Sequence, residues 1–307
     1  MVNLSMTRVL VTGSSGLIGS ALRPSLKAAG ARITRLVHAG SSDGQASDEE
    51  RILWDPAKPI SPDTISGFEA VIHLAGESIV GRWTDQKKAR IRETRVAGTR
   101  HLAEALAQAK DKPQVFVCGS AIGYYGSRGD EVLREKSAPG ADFLAEVCRD
   151  WEAAAAPAAA AGIRTVQVRT GIVLSANGGA LAKMLTPFRV GAGGRIGGGR
   201  QWMSWIDLQD MVGAIHHILR TDLVQGPVNM VAPRPVTNSE FTRTLARVLN
   251  RPAVLPMPGF AVKLAFGEMG EALLLASQRV EPTQLVTSGY PFRFSELQGS
   301  LQNILKK

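Results

Sequence analysis

Gly13, Gly16 and Gly19 recur at intervals of three, directly after the apolar run 9–11 and before an amphipathic pattern carrying Leu22 and Leu26. Strand, glycine turn and helix together form the setting in which this spacing can cradle a pyrophosphate. Gly13 permits a tight turn, Gly16 lets phosphate approach the backbone, and Gly19 lets the helix pack close to the strand. The helix start then offers the amides of Leu17 and Ile18, with Ser15 beside them, and the positive end of the helix dipole. The stretch implies a dinucleotide site.

Other candidates for chemistry sit at the ends of later apolar runs. A strand over 32–37 follows the first helix. NAD-specific sites usually end this strand on an Asp or Glu that bonds the adenosine ribose. Here the end is Val37 and His38, neither of them acidic, with Arg35 two residues before Val37. A 2′-phosphate is tolerated there, which favours NADP over NAD. His38 is then a candidate phosphate neighbour, or else an exposed loop histidine. The strand over 69–74 ends in Leu74, Ala75 and Gly76, small enough in sum for a flat ligand to approach. Ser120, Tyr124 and Tyr125 follow the strand at 114–118, on the edge where ligands of such sheets bind. Ser120 can hydrogen-bond a carbonyl or hydroxyl, and Tyr124 can exchange a proton. A tyrosine here can equally pack its ring and bond the backbone. Ile172 lies just past a strand at 165–168 and joins the same rim. Cys148 lies within a helical pattern and reads as buried. No metal site is expected.

The elements that must position these residues alternate. Helices are expected over 84–110 and 142–161, between the strands given above. Residues 39–50 read as a loop, and Trp54-Asp55-Pro56 opens a turn. The alternation implies an α/β fold with a parallel, doubly wound sheet. After residue 178 the texture changes, with Gly191, Gly193, Gly194, Gly197, Gly198 and Gly199 punctuating a loop-rich region. A helix over 208–220, a returning strand over 226–231 and helices over 238–250 and 260–277 follow. The expected division is a Rossmann domain over 1–178 and a smaller, partly interleaved substrate domain over 179–307. Segments near 205–235 are expected to pack back onto the first.

Composition narrows the class. The chain has 307 residues, 44% hydrophobic and 21% charged, ordinary values for a globular protein of this length. Its two cysteines argue against a disulfide framework and fit a reducing, cytoplasmic setting. No signal-peptide pattern opens the sequence, and no apolar run approaches the ~20 residues of a membrane span. The net charge is +9, but the basic residues are spread along the chain and no nucleic-acid motif accompanies them. The densest group, Lys87, Lys88, Arg90, Arg92, Arg95 and Arg100, reads as a solvated helix face or as an anion contact.

The glycine block, His73-Leu74-Ala75-Gly76, Gly98-Thr99 and the stretch Ser120 to Gly126 resemble an extended short-chain dehydrogenase/reductase. More narrowly, Trp54-Asp55-Pro56, His73 to Ile79, Arg82-Trp83, Gly123 to Gly126, Asp142 to Glu152 and Arg200 to Ile206 resemble its epimerase-like subfamily, within the NAD(P)-dependent epimerase/dehydratase family. The resemblance covers almost the whole chain. It implies a Rossmann domain with a small C-terminal domain, NADP as cofactor, and a small polar or nucleotide-linked substrate.

Departures from the wider pattern matter as much. The resemblance implies a Ser/Thr, a Tyr and a Lys four residues after it. The first position falls on Ala121, with Ser120 adjacent. The pair falls on Phe143 and Val147, or on Leu144 and Cys148 in the other alignment. Neither supplies a phenol or an amine. Arg95 stands where the superfamily has an Asn facing the cofactor, and its several donors suit ribose, phosphate or an acidic substrate group. Arg200 falls where sugar-nucleotide enzymes hold a diphosphate, with Trp202 or Trp205 available to stack on a ring. Two readings stay open: an NADP-dependent epimerase or oxidoreductase, and an NADP(H)-responsive regulatory protein without turnover.

Overall fold

The computed structural model describes residues 7–38 and 49–306. Short β-branched runs make the central strands, because burial on both faces favours continuous apolar sequence in parallel sheets. These are β1 (Arg8–Thr12), β2 (Arg32–His38), β3 (Glu50–Trp54), β4 (Ala70–His73) and β5 (Val115–Ala121). The first crossovers are α1 (Leu17–Ala28) and α2 (Asp85–Gln108), the latter capped by the Thr84 hydroxyl, which accepts from the Lys87 amide. After β5 come β6 (Val132–Leu133), α3 (Phe143–Ala154), α4 (Ala156–Ala160), β7 (Arg164–Thr170) and β8 (Ile172–Leu174). The remainder is α5 (Gly179–Arg189), β9 (Trp202–Met203), β10 (Trp205–Asp207), α6 (Leu208–Arg220), β11 (Gly226–Met230), β12 (Val236–Thr237), α7 (Asn238–Leu249), α8 (Gly259–Gly270), β13 (Arg279–Val280), α9 (Thr283–Thr287) and α10 (Leu297–Leu305).

Among the described residues, seven strands form one parallel sheet in the order β11-β7-β5-β4-β1-β2-β3. The order reverses between β1 and β4, which creates the crevice where doubly wound sheets bind ligands. Alternate strand residues face opposite layers. Val9 and Val11 pack with Leu22 and Leu26 of α1 and with Met211 and Ile215 of α6. Leu10 packs on the other side with Leu102 and Leu106 of α2 and Ala158 of α4. A separate core joins α5, α7 and α10 around Trp205, Phe241 and Leu245.

Several elements differ from the sequence expectation. Residues 50–54 form a strand, because Trp54 is buried and Ile52 packs beside it under the sheet. The loop expected over 39–50 otherwise lies outside the described residues. The helix expected over 142–161 divides at Ala155, with Pro157 in the first turn of α4. Residues 179–189 are helical despite the glycines around them, since Leu181, Leu185 and Phe188 share a buried stripe. The helix expected over 260–277 breaks at Gly267, whose φ is 58°, a conformation that glycine adopts without Cβ strain.

Candidate active site at the sheet switch point

The glycine turn lies where β1 and β4 part. Gly13 has φ 65°, and a Cβ there would sit 2.6 Å from the Leu74 carbonyl carbon. A Cβ at Gly19 would lie 2.3 Å from the Gly13 oxygen. At Gly16 the nearest atom would be the Gly13 oxygen at 3.3 Å, and nothing else stands within 4 Å. Two glycines are therefore demanded by the protein's own packing, and the middle one keeps a face open. Gly16 is the N-cap of α1, no side chain caps it, and the first turn carries no acid. Such a start leaves amides and partial positive charge for an anion.

A buried polar chain holds the rim. Thr12 Oγ1 lies 2.6 Å from His73 Nδ1 and accepts from the Ala75 amide at 3.2 Å. His73 Nε2 lies 3.0 Å from Thr99 Oγ1, which also accepts from Trp151 Nε1 at 2.8 Å. This ties β1, β4, α2 and α3 together below Leu74, Ala75 and Gly76. Complete burial lowers the His73 pKa to about 4, so the ring is neutral near pH 7.

On the far side of the turn, Val37 is buried and His38 is exposed at the end of β2. Arg35 is 1% exposed, and its Nε donates to Ser14 Oγ at 3.1 Å. The strand end carries no acid, but a carboxylate from outside the strand reaches Arg35. Glu49, distant in sequence, approaches Arg35 Nε to 3.7 Å and also pairs with Arg23 and Lys27. The segment that delivers this carboxylate leads into β3, and sequence alone reads it as loop.

The β5–α3 side contains no phenol–amine pair in either alignment. Val147 is 1% and Cys148 4% exposed, while Phe143 stacks edge-on against Trp83 at 5.3 Å. Burial pushes the Cys148 thiol up to about 12. Ser120 is buried, and its hydroxyl donates to Glu152 Oε1 at 2.6 Å. Arg169 grips the same carboxylate through Nε and Nη2, both at 2.8 Å. Its Nη1 donates to the Tyr125 hydroxyl at 2.9 Å, which donates in turn to Asn229 Oδ1 at 2.7 Å. Burial opposes the Arg169 charge, but the Glu152 bonds outweigh it and raise its pKa. Burial also lifts Tyr125 to about 12 against the pull of Arg169. Sequence reading gave no role to Glu152, although it closes the Asp142 to Glu152 block, and none to Arg169, which nothing in its local pattern marks.

Tyr124 differs from its neighbour. It is half-buried, and the Arg169 guanidinium stacks 3.5 Å from its ring centroid. Its hydroxyl has no hydrogen-bond partner among the described residues and is not enclosed. Arg95 Nη1 donates to the carbonyls of Glu77 at 2.8 Å and Ile91 at 3.2 Å. Its guanidinium stacks on Trp151 at 5.1 Å and lies against Gly76. Burial lowers its pKa, partly offset by Cys148 and Glu77, and its Nε and Nη2 keep no protein partner among the described residues. The rest of the basic run on α2 is largely paired: Lys87 with Glu77, Lys88 with Glu268, and Arg92 with Glu146 and Asp150.

Two substrate expectations are corrected. Trp205 is completely buried in the C-terminal core and donates to the Arg234 carbonyl at 3.0 Å, so it cannot stack on a ligand. Tyr125 is completely buried as the strut described above. Trp202 is the half-exposed indole of that segment, bonded to Asp130 Oδ1 at 2.7 Å and overlain by Arg279. Arg200 is exposed, and Ile172 is half-buried with its amide on the Ser204 carbonyl. Among the described residues no three His, Cys, Asp or Glu side chains gather to hold a metal. None of their helices is long and apolar enough to cross a membrane.

A parallel sheet with this strand order and a three-glycine turn at its reversal defines a nucleotide-binding α/β protein. Residues 9–231 match the NAD dependent epimerase/dehydratase family model, and the chain belongs to that family. Residues 257–304 match a domain of unknown function, DUF1731. The epimerase family protein Mb2239 of Mycobacterium bovis is 40% identical over 291 residues, 94% of each chain. The epimerase family protein YfhF of Bacillus subtilis is 34% identical over 298 residues, 97% of each. The crystal structure of human epimerase family protein SDR39U1 with NADPH superposes with a TM-score of 0.87 at 34% identity, covering 98% of this chain and 100% of that one.

Proposed function

We infer that this chain binds NADP(H) and is an epimerase- or oxidoreductase-like protein acting on a small polar substrate, nucleotide-linked in one form of the reading. The open face of Gly16 above an uncapped helix start carries this reading. The human relative crystallised with NADPH gives it further support. Gly13, Ser15, Gly16 and the Leu17 and Ile18 amides would hold the pyrophosphate. Leu74, Ala75 and Gly76 would line the flat part of the cofactor, with Ile172 opposite. When bound, the cofactor supplies hydride exchange at its nicotinamide ring.

The chain's own residues then orient and exchange protons. Arg95, with unspent donors beside Gly76, would hold a ribose hydroxyl or an anionic substrate group. Tyr124 is the remaining phenol with a free hydroxyl near the β5 end, and it would carry the proton. Ser120 would support the site through Glu152 rather than bond the substrate. Arg200 remains the candidate for a diphosphate. We assign residues 1–178 to the cofactor domain and 179–307 to the substrate domain, with 205–235 returning to the first.

The second reading, an NADP(H)-responsive protein without turnover, draws on the apolar, buried Val147 and on a Ser120 hydroxyl already committed to Glu152. One experiment separates the two. NADPH-loaded protein is screened for oxidation by carbonyl compounds, with and without Tyr124→Phe. Turnover that falls 10²–10⁴-fold in the variant supports the enzyme with Tyr124 as acid. Binding without oxidation by any compound supports the regulator.

A further inference from the structure

An ion cluster lies directly behind the glycine turn. Glu49, one residue before β3, has 3% of its side chain exposed. Arg23 Nε lies 2.9 Å from Oε2, Lys27 Nζ 3.0 Å from Oε1, and Arg35 Nε 3.7 Å from Oε2. Three cations from α1 and β2 thus converge on one carboxylate. The fit is poor. Arg23 Nε and Glu49 Oε2 are both enclosed, yet they are misaligned, and neither has a hydrogen-bond partner among the described residues. Enclosed charged groups without in-line bonds are costly.

The cluster is anchored to the turn itself. Arg35 Nε donates to Ser14 Oγ and Arg23 Nη1 to the Ser14 carbonyl, both at 3.1 Å. Ser14 adjoins Ser15, which is exposed. In doubly wound sites the adenosine ribose lies between this turn and the end of β2. A phosphate presents more oxygens, in a tetrahedral array and with more charge, than a planar carboxylate. It suits converging guanidinium donors better.

We propose that the Glu49 carboxylate occupies, in the free protein, the seat of the cofactor's 2′-phosphate, and that the phosphate enters by displacing it. The inference rests on the NADP(H) reading of the same site. Glu49 becomes a specificity residue: it competes with ligands that carry a 2′-phosphate and not with those that lack one. No covalent change is involved. The side chain rotates out, and Arg23, Lys27 and Arg35 transfer their contacts to the phosphate.

The test is nucleotide affinity, measured by calorimetry for NADPH and NADH on the full chain. Glu49→Gln should tighten NADPH at least fivefold and leave NADH within twofold. Glu49→Asp keeps the charge for folding but shortens the side chain, and should shift NADPH in the same direction by less. Inorganic phosphate should raise the melting temperature of cofactor-free Glu49→Gln more than that of the parent, because the emptied seat accepts it. Unchanged or weaker NADPH binding in both variants overturns the proposal, as does equal tightening of NADH. If the parent binds neither nucleotide, the reading of the site fails first and takes this inference with it.

Discussion

The three glycines of the turn should respond differently to added side chains, and the difference is calculable. Gly19→Ala puts a methyl 2.3 Å from the Gly13 oxygen and 2.8 Å from the Ser14 Cα, both backbone atoms that cannot swing aside. Overpacking of this kind costs about 1–3 kcal/mol. Gly13→Ala meets a similar clash at 2.6 Å and also forces a non-glycine residue to φ 65°, which adds roughly 1–2 kcal/mol. Gly16→Val meets a milder obstacle. The backbone there is extended, at φ −68° and ψ 172°, and an added Cβ would come near only the Gly13 oxygen, at 3.3 Å. The Gly16→Val variant should therefore lose only about 1 kcal/mol, the cost of an apolar residue at a helix N-cap. The space its side chain fills is the space a pyrophosphate needs. NADPH affinity should fall at least 100-fold, or about 2.7 kcal/mol. Urea denaturation reads the first quantity and nicotinamide fluorescence titration the second. If Gly16→Val unfolds as readily as Gly19→Ala, or binds NADPH undiminished, the assignment of roles within the turn is wrong.

Other outcomes can be checked more briefly. NADP(H) should bind at least tenfold more tightly than NAD(H), about 1.4 kcal/mol, in a competition titration; equal affinity would refute it. Arg169→Met strands the Glu152 carboxylate, whose side chain is 13% exposed, and should cost about 3–5 kcal/mol in urea denaturation. His73 takes up a proton below about 4 in the folded chain and near 6.5 when unfolded. Its contribution is full above pH 6.5, falls as pH drops from there towards 4, and amounts to a loss of about 2 kcal/mol by pH 5. A His73→Gln variant should flatten that part of the stability–pH curve; an unchanged slope counts against the buried neutral ring. Val147→Lys, which would supply the amine of the usual pair, instead puts a charge at a position 1% exposed and should lower stability by several kcal/mol rather than create activity.

What was legible from sequence is local. Periodicity marked the apolar runs of β1, β2, β4, β5 and β7 and the stripe of α1, because strand and helix periods are written in neighbouring residues. Glycine spacing marked the turn for the same reason: Gly13, Gly16 and Gly19 act on one another within a few ångströms. The absence of a Tyr–Lys pair at 143/147 and 144/148 was also plain, since it needs only residue identity. Tertiary structure decided everything that depends on which side chains meet across the sheet. Trp205 and Tyr125 carry polar tips and aromatic faces, and nothing in their neighbours distinguishes them from Trp202 and Tyr124; burial in a core or on a strut separates them. Glu152 reaches Ser120 and Arg169 from a helix 32 and 17 residues away. Glu49 reaches Arg35 because β3 pairs with β2. Ion pairs and hydrogen bonds of this kind are fixed by distances of about 3 Å between residues far apart in the chain, and such distances exist only once the layers have packed.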